Sequence, residues 1–431
     1  MKYILKKVVI FIIQCEAILV LKKYKPNIVA VTGSVGKTST KDAVYTVLSG
    51  SFFVRKSEKS FNSEIGVPLT ILGVPNGWSS IPLWLKNITE GFLLIIFRNH
   101  YPTWLVLEVG ADRPGDIKKI SRWLKPDIVV MTSLPSVPVH VEFFKSAEHV
   151  AREKEHLIRA LKYDGVLVLN GDDERVRSHA LSSGQSVFMY GFDKRTDFQA
   201  QNSEIEYMDG KPSGMTFRVS YCGSSTPISV QGTIGNHQIY PILAACAVGA
   251  SQGLNMVKIA EVLNREYTPP PGRMRLIEGK NGSTLIDDTY NSSPAAVGRA
   301  LETLERVTVK GKKIAVLGDM LELGSHTADA HLEAGKKAAE FADILITVGI
   351  RARDIAEGAR KEKMKKGQIT ITQDAREAGM ELTKILKSGD LALVKGSQGV
   401  RMERIVEEVM AHPDKARTLL PRQEKEWLRR V

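Results

Sequence analysis

The thirteen residues AVTGSVGKTSTKD, from Ala30 to Asp42, constrain this chain more than any other stretch. Ile28 to Val31 is a short β-branched run that reads as a buried strand. It breaks at Thr32-Gly33, and from Lys37 onward the composition is helical. A strand, a glycine turn and a helix start together form a phosphate cradle. The backbone N–H groups face the anion, and the helix N-terminus adds positive potential. Gly33, Ser34 and Gly36 supply the turn, and Lys37 reaches the outer phosphates of a nucleotide. The Thr38 hydroxyl sits on Mg²⁺, with Ser39 beside it in the nucleotide-binding set. The spacing departs from G-x-x-x-x-G-K-[ST], because Val31 stands where the first glycine would be.

At 431 residues the chain is too long for one core and is expected to hold two domains or three. A hydrophobic content of 43% with 25% charged residues is that of an ordinary globular protein. The formal charge of +12 suits polyanionic small substrates, a membrane surface or nucleic acid. Basic runs interleaved with aromatics are absent from the sequence, so nucleic acid is not expected as a partner. Three widely spaced cysteines, Cys15, Cys222 and Cys246, form no CxxC pair, which argues against a zinc ribbon or disulfide framework and for the cytoplasm.

Val8 to Leu21 is apolar and flanked by Lys6, Lys7, Lys22, Lys23 and Lys25. It is too short for a membrane span and carries Gln14 and Glu16. Two readings stand: a helix packed on the following domain, or a basic helix making peripheral membrane contact through residues 6–25 at the inner face. Ile81 to Phe97, apolar but interrupted by Pro82, Lys86, Asn87 and Glu90, reads as a buried helix. Trp104 to Val109 is a strand whose end carries Glu108, where Mg²⁺ ligands sit in doubly wound sheets. Asp127 to Thr132 and Gly165 to Asn170 are further strands, and Ser146 to Leu161 is a charged helix. Phe198 to Gly232 reads as a small antiparallel excursion, and helix returns at Ile239 to Ser251. Thr268-Pro269-Pro270-Pro271-Gly272 is the clearest linker, followed by alternating strands and helices. The expected fold is therefore α/β: a P-loop-type doubly wound sheet with an antiparallel excursion, then a Rossmann-like α/β domain. The boundaries are an apolar, basic N-terminal helix over 1–27, a central domain over 28–270 and a C-terminal domain over 271–431.

Ten stretches, in order, give a family resemblance: TGSVGKTSTKD, FNSEIGVPLTIL, LEVGADRPGDI, HVEFFKS, AREKEHL, GNHQIYPILAA, PGRM, DDTYNSSP, GDMLELG with His331 downstream, and KGSQGVRM. The chain resembles the Mur ligases, and the last two stretches point to the branch that adds D-alanyl-D-alanine to a muramoyl peptide in peptidoglycan synthesis. The resemblance implies an ATP-dependent amide ligase that phosphorylates a substrate carboxylate and lets an amine attack the acyl phosphate. Phosphoryl transfer then needs charge neutralisation and in-line positioning rather than a protein nucleophile.

By that resemblance Lys37, Glu108, His140 and Lys154 carry the chemistry, with Thr38, Glu108, His140 and Lys154 around two Mg²⁺ ions. His140 matches the family histidine in H-x-E-x-F-x-S, and Glu142 reads as a surface residue or one that supports a ligand from behind. Lys154 matches the lysine that relatives carry as a carbamate, whose formation needs a neutral amine and thus a depressed pKa. His237, then Arg273, Asp288, Tyr290 and Asn291, match the family's ATP contacts, and Gln238 is placed with them because a glutamine can still bind the adenine edge, which Pro241 cannot. Gln238 and Pro241 replace asparagines that usually meet adenine. Asn62, Asp319, Glu322, His331, Lys395, Ser397 and Arg401 resemble the substrate-binding positions, although helix caps explain Ser397 and Asp319 equally well. The expected partners are the muramoyl peptide and D-Ala-D-Ala, with the chain a monomer.

About thirty residues precede the phosphate loop, too few for an independent core, so the front domain with which relatives grip the UDP-sugar is not expected. Weak discrimination against acceptors lacking UDP follows. Two other readings compete: a related ligase with another acceptor, of folylpolyglutamate or cyanophycin synthase type, and a non-catalytic nucleotide-binding scaffold.

Overall fold

A computed structural model describes residues 2–58, 61–136, 141–182 and 184–428. The first unit begins with α1 (Lys2–Tyr24), β1 (Asn27–Thr32), α2 (Lys37–Ser49), β2 (Val54–Lys56), α3 (Gly66–Leu72), α4 (Ile81–Ile96) and β3 (Trp104–Glu108). It continues through α5 (Asp116–Ser121), β4 (Ile128–Met131), α6 (Ala147–Ile158), β5 (Val166–Asn170), α7 (Glu174–Arg177) and β6 (Ser186–Gly191). The long strands β7 (Phe198–Met208), β8 (Lys211–Tyr221) and β9 (Ser224–Gln231) follow, then α8 (Ile239–Ser251) and α9 (Met256–Glu266).

These strands make one sheet in the order β2-β3-β1-β4-β5-β6-β7-β8-β9. Pairing is parallel from β2 to β7 and antiparallel from β7 to β9. Along β1, Val29 and Val31 enter the core beneath α2, α8 and α9, while Ile28 and Ala30 enter the opposite core. A strand apolar on both faces is what a sheet covered on both sides requires. The chain reverses direction across the sheet at β1, which lies between β3 and β4. Open α/β sheets bind ligands at such a point, outside the C-terminal ends of the strands.

The Thr268–Gly272 segment leads to the second sheet. Its elements are β10 (Arg275–Glu278), β11 (Thr284–Asp288), α10 (Pro294–Arg306), β12 (Lys313–Gly318), α11 (Thr327–Ala339) and β13 (Ile344–Val348). Then come α12 (Arg353–Lys361), β14 (Ile369–Thr372), α13 (Ala375–Ile385), β15 (Leu391–Lys395) and α14 (Glu403–Val409). The order is β10-β11-β15-β12-β13-β14, parallel except for β10. Alternate residues of β12 again serve two cores, Ala315 and Leu317 on one side, Ile314 and Val316 on the other.

The N-terminal helix is packed on the first unit. Ile13, Ala17 and Val20 are fully buried in the core shared with α3 and α4. At its C-terminal end Lys23 Nζ donates to the carbonyls of Leu94 and Ile95, each at 2.9 Å, and so caps α4. The Tyr24 hydroxyl donates to the carbonyls of Leu94 and Phe97, and its ring stacks on Tyr101 at 4.5 Å.

The expectation that Ile81–Phe97 is a buried helix needs correction. Pro82 lies in the first turn of α4, where its missing N–H costs nothing. Within the helix only Asn87 and Gly91 are buried, and one apolar face is left uncovered. The apolar residues of the stretch do not disclose this by themselves. Helices α1 and α3 cover one side of α4, and nothing among the described residues covers the other. No helix among the described residues is long and apolar enough to cross a membrane.

Candidate active site

At the end of β1 the backbone turns through Gly33 at φ +135° and Gly36 at φ +87°. A Cβ on Gly33 would lie 1.9 Å from Thr132 Oγ1, so no side chain fits there. Gly36 is the N-cap of α2 and offers no side chain to its first N–H groups, which leaves them for an anion. Lys37 opens the helix and folds back, its Nζ donating to the Ser34 carbonyl at 3.3 Å. Burial pushes its pKa down, the nearby Glu108 opposes this, and Arg273 adds to it.

Because Glu108 ends β3 and pairs in register with Val31, the sheet itself delivers its carboxylate beside the loop. Glu108 is only 1% exposed. Its Oε1 accepts from Asn62 Nδ2 at 3.0 Å, whereas Oε2 is buried without a hydrogen-bond partner among the described residues. An ionised oxygen buried and unpaired costs several kcal/mol unless a cation meets it. The Ser34 and Ser133 hydroxyls likewise have no hydrogen-bond partner among the described residues. Such hard oxygen donors suit Mg²⁺, which takes one or two carboxylates and completes its shell with phosphate oxygens and water. The residues present therefore fit the metal.

Lys154 comes to the same place from α6. Its neighbour Glu153 accepts from the N–H groups of Gly115 and Lys118, both at 2.9 Å, and ties α6 to the start of α5. Lys154 is 3% exposed, and its pKa falls to about 7, first through burial and then through repulsion by Lys37.

The second sheet closes the cleft from the other side. Arg273 reaches back across the boundary, its Nη2 donating to Thr38 Oγ1 at 3.5 Å while its guanidinium lies 4.2 Å from the Tyr290 ring. Its Nε is buried without a hydrogen-bond partner among the described residues. Asp288, Tyr290 and Asn291 stand at and just beyond the end of β11. The cavity so enclosed, about 1110 Å³, is lined by the phosphate loop, Asn62, Glu108, Lys154, His237, Gln238, Arg273, Tyr290 and Lys395.

Residues 87–249 match the Mur ligase middle domain, and residues 272–398 match the Mur ligase, glutamate ligase domain. The chain is 32% identical over 396 residues to UDP-N-acetylmuramoyl-tripeptide--D-alanyl-D-alanine ligase of Bacillus subtilis (strain 168), a match that spans 91% of this chain and 78% of that protein. The chain belongs to the Mur ligase family. The ligase of the same name from Mycobacterium leprae (strain TN) is 28% identical over 398 residues, 87% of this chain and 71% of the relative. The crystal structure of MurF ligase from Thermotoga maritima in complex with ADP has a TM-score of 0.75 at 27% identity, covering 93% of this chain and 83% of that one.

The fold of this Mur ligase brings most of the sequence-derived site residues to the cleft. Gly33, Ser34, Gly36, Lys37, Thr38, Ser39, His237, Gln238, Asp288, Asn291 and Glu322 all line it. Gln238 presents a buried Oε1 with no hydrogen-bond partner among the described residues, while burial and the charges of Arg299 and Lys395 push the His237 pKa down to about 3, so its ring is neutral. His140 lies outside the described residues.

Four of the substrate-class residues are not among the cleft-lining residues. His331 is fully buried, its Nε2 accepting from Met320 N at 2.9 Å and its Nδ1 donating to the Thr327 carbonyl at 2.6 Å. Both ring nitrogens are thus spent on backbone. Asp319 accepts from Ala352 N at 2.7 Å and caps α12, and the Ser397 hydroxyl accepts from Leu321 N at 2.9 Å. Arg401 pairs with Glu403 at 2.5 Å and donates to the Trp427 carbonyl at 2.8 Å. Lys395 does line the cleft, but its Nζ is held by Asp288 at 2.6 Å and by the Asn291 carbonyl at 3.0 Å.

Sequence reasoning missed the C-terminal segment. Pro421, Arg422, Gln423, Glu424 and Trp427 of this Mur ligase line the cleft. Arg422 donates to the carbonyls of Thr289 (3.2 Å) and Tyr290 and pairs with Glu403 at 3.1 Å. The one signal was a tryptophan and a proline-arginine pair in an otherwise charged tail.

Proposed function

We propose that this Mur ligase joins D-alanyl-D-alanine to a muramoyl tripeptide at the expense of ATP, in the synthesis of peptidoglycan precursors. The observation that carries the reading is the cleft itself. A phosphate loop, a buried carboxylate with an oxygen left without a hydrogen bond among the described residues and an arginine from the second sheet meet there, in a chain whose relatives bear that activity in their names. In this reading the α2 N-terminus and Lys37 bind the β- and γ-phosphates, and Arg273 adds positive charge from the opposite wall. Arg273 and Tyr290 orient the nucleotide, and Gln238 offers its open oxygen to the adenine edge. Asn62 is a positioning residue that holds one oxygen of Glu108 and leaves the other to meet a cation.

Mg²⁺ would be held by Glu108 and Thr38, with His140 and Lys154 serving a second ion, and when bound it would neutralise charge on the transferring phosphoryl group. A neutral Lys154 amine adds to the carbon of CO₂ and gives up a proton to solvent to become a carbamate, which supplies oxygen donors that an ammonium lacks. Burial beside Lys37 supports this, since it lowers the lysine pKa toward 7. The substrates are small molecules, the chain works as a monomer, and ATP places the reaction in the cytoplasm.

The decisive experiment measures phosphate release with ATP and Mg²⁺ while the muramoyl tripeptide and D-Ala-D-Ala are supplied singly and together. The expected result is release that needs both. Release driven by L-glutamate in place of the dipeptide, or none under any combination, overturns the reading.

A further inference from the structure

Helix α1 is apolar on two sides. One side is buried through Ile13, Ala17 and Val20. The opposite side presents Val8, Phe11 and Leu19, at i, i+3 and i+11, with Phe11 66% exposed. A helix that is hydrophobic all round belongs in a core or at a lipid surface, and only one side of α1 has a core. Helix α4 repeats the arrangement: Ile81, Leu85, Phe92 and Ile96 recur at i, i+4, i+11 and i+15 and are 53% to 61% exposed. Capping of α4 by Lys23 and Tyr24 fastens the two helices into one unit.

The charges beside these stripes have one sign. Lys7, Lys22 and Lys25 are exposed near the two ends of α1, and Arg98 is exposed just past α4. The one carboxylate of α1, Glu16, is buried, and the one carboxylate of α4, Glu90, lies 3.7 Å from Lys86. Apolar stripes ended by cations complement a bilayer that carries negative headgroups. A second copy of the chain would bring the same lysines face to face, which costs energy.

We propose that α1 and α4 together dock this protein on the surface of a membrane containing anionic phospholipid. The apolar stripes enter the acyl boundary, and the lysines reach the headgroup phosphates. No span is involved, because neither helix is long and apolar enough. The proposal uses no residue of the cleft and stands apart from the ligase reading.

The test is co-sedimentation of the full chain with vesicles of phosphatidylcholine alone or with added phosphatidylglycerol, with light scattering of the free protein. The expected result is pelleting with the phosphatidylglycerol vesicles, reversed by salt, and a monomer in solution. Each of the pairs F11S/L19S, F92S/I96S and K22E/K25E is expected to lower the bound fraction about tenfold. The serine pairs replace exposed side chains, so their melting temperatures report on folding; should one fail to fold, the lysine pair still decides. Wild-type protein that stays in the supernatant with both vesicle types overturns the proposal. So does binding unchanged in all three pairs, or a wild-type dimer that the serine pairs dissolve.

Discussion

Arg273 of the second sheet's unit donates to the Oγ1 of Thr38 in the phosphate loop of the first, 235 residues earlier in the chain, across 3.5 Å. This bond spans the two walls of the cleft, and the arginine is fixed by stacking on Tyr290. A planar guanidinium can stack and donate at once, whereas an ammonium cannot. Arg273→Ala is therefore expected to lower kcat/KM by at least about a hundredfold, and Arg273→Lys to recover little of it. Full activity in the lysine variant, measured by steady-state phosphate release, would show that only charge matters at this position.

Glu108 and Lys37 should separate activity from stability. Glu108→Gln keeps the oxygen that Asn62 holds and removes a buried charge whose Oε2 has no hydrogen-bond partner among the described residues. It is expected to melt at or above the wild-type temperature while losing about 3 kcal/mol or more of transition-state stabilisation. Lys37→Ala should lose as much activity. A Glu108→Gln enzyme with normal turnover would remove this carboxylate from the metal site.

Lys154 should give the molecule a pH signature. Its folded pKa, about 7, lies below the ordinary 10.5. Between these values the unfolded chain holds the proton and the folded chain does not, so stability falls as pH drops from 10.5 to about 7 and levels off below. Lys154→Met is expected to flatten that slope and abolish ligation. Activity should fall as pH drops below about 7 and when CO₂ is stripped from the buffer, with partial rescue of Lys154→Ala by short carboxylates. Melting curves across this range and assays in degassed buffer check both parts; an active alanine variant would exclude the carbamate.

Arg422 anchors the C-terminal segment. Its pairing with Glu403, which is fully buried, lies out of solvent, and its bonds to the Thr289 and Tyr290 carbonyls hold the turn after Asp288. Arg422→Ala is expected to cost about 3 kcal/mol, because it strands part of a buried carboxylate. It should also raise KM for ATP more than it lowers kcat, since Tyr290 loses its support without losing the phosphate site. Denaturant unfolding and separate kcat and KM values decide this; an unchanged KM would make the segment purely structural.

Local signals carried the centre of the site. A β-branched run, two glycines and a lysine-threonine pair follow one another closely from Ile28 to Thr38, and their backbone conformation depends mainly on themselves. That is why the strand, the turn and the start of α2 were legible, as were the parallel strands that alternate with helices. Glu108 was legible for a related reason, since a carboxylate at a strand end has only one place to go once the strand pairs with β1. Tertiary structure alone decided the rest. His331 stands in a matching motif, yet its two nitrogens are consumed by backbone groups that only the folded α11 presents. Lys395 meets Asp288 across 107 residues, and Arg422 meets Tyr290 across 132. The uncovered side of α4 is likewise invisible in its periodicity, because an apolar stripe reads the same with or without a neighbour over it. Sequence pattern reports the torsions and the faces of each element. Which groups satisfy one another is settled only when distant segments compete for the same few hydrogen bonds and the same buried area.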